Sequence, residues 1–158
     1  KGWDAALPRI VTWAKFKDIK TGKVFFHFCT HFDHMGKEAR KQSSLLILKQ
    51  VSQLAGKLPV LVTGDFNADP TDEPIQVILD NKNPMHLTDA EAVSQTPHYG
   101  PNASFNGWKI HEDNLKEHID YIFFHGPVTV LKHATLAQLW GTRFSSDHFP
   151  VMASVVVE

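Results

Sequence analysis

The sequence predicts an α/β (α+β) fold in which one mixed β-sheet carries its helices on one face. Two observations predict this class. Short runs rich in β-branched and aromatic residues are bounded by turn residues, and they alternate with two segments that have the apolar period of a helix. A third observation concerns domain number: no repeat, linker or low-complexity tract interrupts residues 1–158, so they are expected to form a single domain.

The first part of the chain predicts two strands, a helix and a third strand. Residues 9–18 alternate polar and apolar, and after a Thr-Gly-Lys turn residues 24–30 form a second, more apolar run. Residues 36–55 place their leucines on one helical face, and Gly56 follows as a C-cap. Residues 59–63 are a continuous apolar run, typical of a buried strand.

The second part predicts a short helix, a long segment and three strands. Residues 72–80 read as a helix with acidic residues in its first turn. Residues 81–118 are polar, rich in turn residues and expected to be mostly irregular. The three strand candidates are residues 119–124, 128–137 and 149–157. Two helices cover one face of such a sheet, so its other face has no evident partner.

Composition limits the possible functions. With 42% hydrophobic and 21% charged residues the chain is an ordered globular protein, and no apolar run approaches the ~20 residues that span a bilayer. The net charge of −1 argues against broad electrostatic capture of nucleic acid. The single cysteine, Cys29, excludes an internal disulfide. The sequence leaves localisation undetermined.

Four polar clusters lie at the ends of predicted strands. Strand ends can hold side chains convergent and open to a substrate. Any one cluster could equally be a capping turn, but together they supply carboxylates, an amide and imidazoles, which favours a hydrolytic site with a divalent metal. The clusters are Thr30-His31-Phe32-Asp33-His34, Gly64-Asp65-Phe66-Asn67, His118-Ile119-Asp120 and Ser145-Ser146-Asp147-His148.

The segments that carry these clusters resemble the endonuclease/exonuclease/phosphatase superfamily, whose fold is that of deoxyribonuclease I. They are "HFCTHFDH", "LPVLVTGDFNADP", "HIDYIFF" and "SSDHFPVMASV", in that order, and the resemblance runs from Arg9 to Val157. "RIVTWAKF" and "THFDHMGKEAR" are most similar to an uncharacterised bacterial branch. The resemblance implies a metal-dependent phosphoesterase that cleaves a phosphomonoester or phosphodiester by in-line attack of water, with Mg²⁺ (or Mn²⁺) as cofactor.

The resemblance also implies roles for individual residues. Asp65 matches the aspartate that orients or deprotonates the attacking water. Asn67 and His31 match groups that hold the non-bridging phosphate oxygens. His148 matches the histidine that faces the scissile phosphate, and Asp120 matches the carboxylate that orients that histidine.

Three further residues receive weaker expectations. Asp147 matches a residue near the metal or bound to it. Phe105 and Trp108, in the long segment, could stack on a substrate or form that segment's own small core. His27, His125 and His133 are expected to be structural.

In the superfamily, a metal-binding glutamate lies in the N-terminal portion of a four-layer sandwich. The resemblance therefore implies that this chain corresponds to the C-terminal portion, with one sheet of the sandwich. We expect its open sheet face to pack on the N-terminal portion, and this chain alone to bind Mg²⁺ poorly and be nearly inactive. The near-neutral net charge favours a small phosphate ester over duplex DNA as the substrate. The resemblance points the same way, because Glu117 stands where DNA-repair relatives have an aromatic residue that lines the abasic-nucleotide pocket.

Two other functions stay open at this stage. Cys29, His31, Asp33 and His34 resemble the metal motif of binuclear zinc hydrolases, since thiolate and imidazole suit Zn²⁺. That alternative leaves the Asp65 and His148 clusters unexplained. The other alternative is a non-catalytic binding module, a degenerate relative of the superfamily.

Overall fold

The computed structural model of the chain describes residues 1–109, 115 and 117–158. Every strand and helix predicted from the sequence is present, and a two-residue strand, β4, is added within the long segment. Neither helix of the described residues is long and apolar enough to cross a membrane. The elements in chain order are β1 (Val11–Lys17), β2 (Val24–His31), α1 (Lys37–Ala55), β3 (Val60–Asp65), α2 (Glu73–Leu79), β4 (Thr88–Asp89), β5 (Asp120–His125), β6 (Val128–Thr135) and β7 (Val151–Val157).

Five strands form a mixed sheet in the order β1-β2-β3-β5-β4, as the fold class predicts. Strands β2 and β3 are parallel, because α1 carries the chain back between them, and the other neighbours are antiparallel. The parallel ladder pairs His31 with Asp65, and the antiparallel ladder pairs Asp65 with Asp120. Register alone therefore places three polar residues side by side at one end of the sheet.

The main core lies between this sheet and the two helices. Alternate strand residues such as Phe28, Val62 and Phe123 point to the helices and are fully buried against α1 and α2 residues such as Val51 and Ile75. Side chains of a strand alternate between faces, so the residues between these, including the three polar residues at the sheet end, project to the opposite face.

Strands β6 and β7 form a separate antiparallel ladder on that opposite face. The chain leaves the five-stranded sheet at Gly126-Pro127, where Gly126 has φ +86° and Pro127 has no N–H for a ladder. Val130 of β6 packs with Phe124 and Leu61 in a second small core. The face expected to lack a partner is thus covered over β3 and β5, and it stays open over β1 and β2, where Phe16 is 45% exposed.

Candidate active site

The end of the sheet that carries His31, Asp65 and Asp120 depends on a close contact between β2 and β3. Gly64 has φ +153°, and a Cβ at this position would clash with the backbone of Thr30 on β2. Only glycine permits that approach. The next residue, Asp65, is thereby held beside His31 on the face away from the helices.

His148 completes this group from the loop that precedes β7. Its Nδ1 lies 2.7 Å from Oδ2 of Asp120, a short hydrogen bond that fixes the ring. The other nitrogen, Nε2, faces Oδ2 of Asp65 at 3.9 Å. Nε2 of His31 lies 3.2 Å from the same Asp65 oxygen. The Asp65 carboxylate therefore sits between two imidazoles, one of which is oriented by a second carboxylate.

The environment shifts the proton affinities of Asp65 and His148 in the same direction. Burial raises the pKa of Asp65, and the negative charge of Asp120 raises it further, against the opposing effect of the Asn67 N–H. Burial lowers the pKa of His148, but the hydrogen bond and charge of Asp120, with the nearby carboxylates, outweigh it and raise the pKa above the ordinary value. Asp65 is thus a stronger base than a free aspartate, and His148 takes up a proton more readily than a free histidine.

Asn67 is held in the turn after β3 by its own backbone and side chain. Its φ of +48° lies in the left-handed region, which asparagine tolerates better than most residues. The backbone N–H donates to Oδ1 of Asp65 at 2.8 Å, and Nδ2 donates to the carbonyl of Phe32 at 3.1 Å. One amide hydrogen of Asn67 is therefore used for anchoring, and the second has no hydrogen-bond acceptor among the residues that the structure describes.

Two positioning residues were not predicted from the sequence. The buried hydroxyl of Ser104 accepts hydrogen bonds from the N–H groups of Ile119 and Asp120, both at 3.0 Å. Buried Asn106 donates from Nδ2 to the carbonyl of Ser146 at 3.1 Å. These two residues of the long segment fix the strand end and the loop that carry the Asp120–His148 pair.

The residues with weaker expectations are placed at different distances from this group. The Phe105 ring lies against the His148 ring, with 5.1 Å between centroids. Trp108 is 58% exposed and makes no ring contact among the described residues. Asp147 lies near enough for its charge to raise the pKa of His148, and one of its carboxylate oxygens is 3.3 Å from Oγ of Ser146. The roles predicted for these three residues stay predictions.

Asp65, Asp120 and His148 form a group that could hold a metal ion. Each offers one ligand atom, and these atoms lie within 4.8 Å of one another. Asp147 is not part of this group. Mg²⁺ and Mn²⁺ prefer oxygen ligands and are often bound through one or two carboxylates together with water and substrate phosphate. The two carboxylates therefore fit such an ion, with His148 already engaged by Asp120.

The zinc alternative is not supported by the geometry. Cys29 is exposed on the open face, whereas Asp33 is buried and accepts hydrogen bonds from the N–H groups of Gly36, Met35 and Leu7. These bonds, that of Gly36 first, hold the pKa of Asp33 far below its usual range. Within the described part of the chain, no group of convergent metal-ligating atoms includes Cys29, His31, Asp33 or His34.

A family model and several solved structures match this chain. The model described as the endonuclease/exonuclease/phosphatase family matches residues 4–148. No curated protein sequence gives a significant match. The endonuclease/exonuclease/phosphatase from Bacteroides vulgatus is 37% identical, with a TM-score of 0.92, over 100% of this chain and 59% of its own.

Two further structures are similar at comparable levels. A mannosyl-6-phosphatase from Bacteroides thetaiotaomicron VPI-5482 is 34% identical, with a TM-score of 0.87, over 98% of this chain and 60% of its own. A protein of unknown function from Enterococcus faecalis V583 is 31% identical, with a TM-score of 0.87, over 98% of this chain and 59% of its own. The chain thus spans about three fifths of the length of the structures that it matches.

Proposed function

The chain belongs to the endonuclease/exonuclease/phosphatase family, and on that basis we propose that it carries the phosphate-binding and acid–base residues of a metal-dependent phosphoesterase. One observation supports this most strongly. His31, Asp65, Asn67, Asp120 and His148 come from three strand ends and two loops, yet they converge on the same open end of one sheet. Such convergence of a base, imidazoles and an amide is what hydrolysis of a phosphate ester requires.

Asp65 is the proposed base for the attacking water. Its raised pKa improves its ability to accept a proton, and the Asn67 N–H on Oδ1 fixes the carboxylate so that Oδ2 faces the open site. As the water oxygen bonds to phosphorus, its proton passes to Asp65. The bond from phosphorus to the leaving oxygen breaks, and that oxygen takes up a proton from solvent and departs as the alcohol. The 13% exposure of the Asp65 side chain limits competition from bulk water.

His148 is the proposed hydrogen-bond donor to the phosphoryl oxygen. Nδ1 donates its hydrogen to Asp120, and the raised pKa favours the imidazolium, in which Nε2 also carries a hydrogen that points into the site. His31 and the second amide hydrogen of Asn67 are positioned to donate to non-bridging oxygens. A divalent cation held by the carboxylates of Asp65 and Asp120 would neutralise charge that develops on the phosphoryl oxygens.

For the substrate, we propose a small phosphomonoester with a sugar-like alcohol. The similarity to a mannosyl-6-phosphatase favours this class over a polymer. The net charge of −1 points the same way, because binding of nucleic acid backbones usually needs a basic surface. The Phe105 ring, which lies against His148, would form one wall of the alcohol subsite.

We further propose that this chain alone has low activity. The glutamate implied by the family resemblance has no counterpart in the group formed by Asp65, Asp120 and His148. The open face over β1 and β2, with Phe16 exposed, is the surface we expect to contact the N-terminal portion of the same fold. Full activity is therefore expected only when that contact supplies further metal ligands.

Hydrolysis of mannose 6-phosphate tests the proposed function. With Mg²⁺ present, we expect slow release of phosphate by this chain, a further reduction of about 10²–10³-fold in Asp65→Asn, and no change in Asp80→Asn. Asp80 is a matched control because it lies at the end of α2, outside the site. Bis(p-nitrophenyl) phosphate in place of the monoester tests the substrate class.

Two results would contradict the proposal. Equal rates for the unsubstituted chain and Asp65→Asn would exclude Asp65 as the base. If the chain binds inorganic phosphate but shows no turnover that is lost in Asp65→Asn, the binding-module alternative would be favoured over an enzyme. Faster cleavage of the diester than of the monoester would leave the site intact and overturn only the proposed substrate class.

A further inference from the structure

A second polar cluster, which shares no residue with the proposed active site, lies between the long segment and β6. It consists of Glu91, His98 and His133. Nδ1 of His98 and Nδ1 of His133 lie 3.8 and 3.7 Å from Oε2 of Glu91, and they lie 2.9 Å from each other. His133 is buried, and the side chains of Glu91 and His98 are mostly buried. Three potential ligand atoms therefore face one small interior space.

Hydrogen bonding within this cluster cannot satisfy all of its members. Nε2 of His98 lies 3.1 Å from the carbonyl of Pro101, which can only accept, so Nε2 carries a hydrogen and Nδ1 of the neutral ring has a lone pair. His133 can donate its Nδ1 hydrogen to that lone pair. Glu91 then has no donor from either ring, and its buried Oε2 accepts no hydrogen bond from the described residues. A buried carboxylate oxygen without a partner is unusual.

Protonation of a histidine does not resolve this. The separations of 3.7–3.9 Å between Oε2 and the imidazole nitrogens, including Nδ1 of nearby His118, exceed hydrogen-bond length. Two imidazole nitrogens and a carboxylate oxygen around one space are, however, the ligand types that zinc prefers. Tetrahedral ligands at about 2.0–2.1 Å from zinc are about 3.3 Å apart. The two imidazole nitrogens are closer to each other than this, at 2.9 Å, and both are farther than this from the Glu91 oxygen, at 3.7–3.8 Å.

We propose that Glu91, His98 and His133 bind a zinc ion that is separate from the phosphate site. The hydrogen bond from His98 to Pro101 is the outer contact that typically fixes a zinc-bound imidazole, because it selects the tautomer with a free Nδ1. His118, 3.9 Å from the same Glu91 oxygen, is the nearest candidate for a fourth ligand.

The position of the site in the fold indicates a structural role. Along this region the long segment is tied to β6 by backbone bonds, from Gln95 N to Val130 O and from Thr135 N to Tyr99 O. A zinc ion would add a stronger link between Glu91 and His98 on the segment and His133 on the strand. The same segment continues to Ser104 and Asn106, which position Asp120 and the His148 loop.

Zinc binding by the full chain tests this proposal after dialysis against a chelator. We expect one zinc ion per chain by isothermal titration calorimetry and elemental analysis. Glu91→Gln and His98→Ala should each weaken binding by more than about 10–100-fold, the loss typical of an outer contact alone. At free zinc about 1,000 times Kd, the melting temperature of the unsubstituted chain should rise by about 8–16 °C, and that of either variant much less.

Two control variants assign the metal to its site. His34→Ala removes an exposed histidine of the zinc-hydrolase motif, and Asp65→Asn alters the phosphate site; both should retain the zinc. Loss of zinc in either control, with retention in Glu91→Gln, would overturn the proposal and place the ion elsewhere. Failure of the unsubstituted chain to bind zinc would also overturn it. Because phosphate release is not measured, none of these results depends on the proposed activity.

Discussion

Gly64→Ala is expected to damage the fold at the point where β2 and β3 come closest. Gly64 has φ +153°, a conformation that residues with a side chain rarely adopt. An added Cβ would clash with the carbonyl oxygen of Thr30 and lie only 2.9 Å from its carbonyl carbon. Both neighbours are backbone atoms of a central ladder, so neither can move without moving a strand.

The size of the effect follows from these two features. A side chain in such a backbone region costs about 1–3 kcal/mol, and forced overpacking of a well-packed site costs about 1–3 kcal/mol more. We therefore expect Gly64→Ala to lower the free energy of unfolding by about 2–6 kcal/mol. For a chain of this size that corresponds to a fall of about 4–24 °C in melting temperature.

Gly22→Ala is the matched control, and thermal denaturation of both variants is the assay. Gly22 has φ +73° in the β1–β2 turn, but nothing lies within 4 Å of an added Cβ, so only the backbone cost of about 1–2 kcal/mol applies. Equal melting temperatures for the two variants would show that β2 and β3 are not in the close contact described here.

Three further changes test other parts of the structure. Asp120→Asn should lower the pKa of His148, read by NMR titration of the imidazole. The raised pKa stabilises the fold below about pH 6.5, and this stabilisation is lost as the pH rises through the pKa of the folded state. The unfolding free energy of the unsubstituted chain should therefore exceed that of Asp120→Asn at low pH, and the difference should shrink above that range. An unchanged pKa of His148 would contradict its pairing with Asp120. Ser104→Ala should cost about 1–3 kcal/mol in urea denaturation, because the buried N–H of Ile119 and the part-buried N–H of Asp120 lose their acceptor. Ser52→Ala, on the exposed side of α1, should cost little, and equal costs would exclude the positioning role. The chain should self-associate through the open sheet face in sedimentation experiments, and Phe16→Lys should reduce this association. Ile19→Lys is the control, because Ile19 is 98% exposed and lies outside the strands, and it should leave the association unchanged. A larger effect of Ile19→Lys than of Phe16→Lys would place the contact elsewhere.

The elements and the family were predictable because their signals are local. Apolar period and turn residues predicted both helices and every strand except β4, which has two residues and little pattern of its own. The resemblance of the polar clusters to the family predicted Asp65 and His148 as site residues. That Asp65 lies beside Asp120 depends on strand register, which the sequence alone did not specify.

The residues that were missed interact over long sequence separations. The hydroxyl of Ser104 accepts a hydrogen bond from the N–H of Asp120, and Asn106 donates one to the carbonyl of Ser146. No local pattern in the polar segment predicts either bond. His133 was expected to be structural, like His27 and His125. Its approach to His98 becomes visible only when the long segment is laid along β6. The separate β6–β7 ladder was missed for the same reason, since pairing partners are a property of the folded chain.

A crystal structure of this chain grown with Mn²⁺ and inorganic phosphate tests most directly whether the five residues form one phosphate site. The prediction is a phosphate ion with its oxygens within about 3.2 Å of side-chain nitrogens of His31, Asn67 and His148, and anomalous signal from Mn²⁺ beside the carboxylates of Asp65 and Asp120. Phosphate bound elsewhere on the molecule, with these five side chains untouched, would contradict the proposed site.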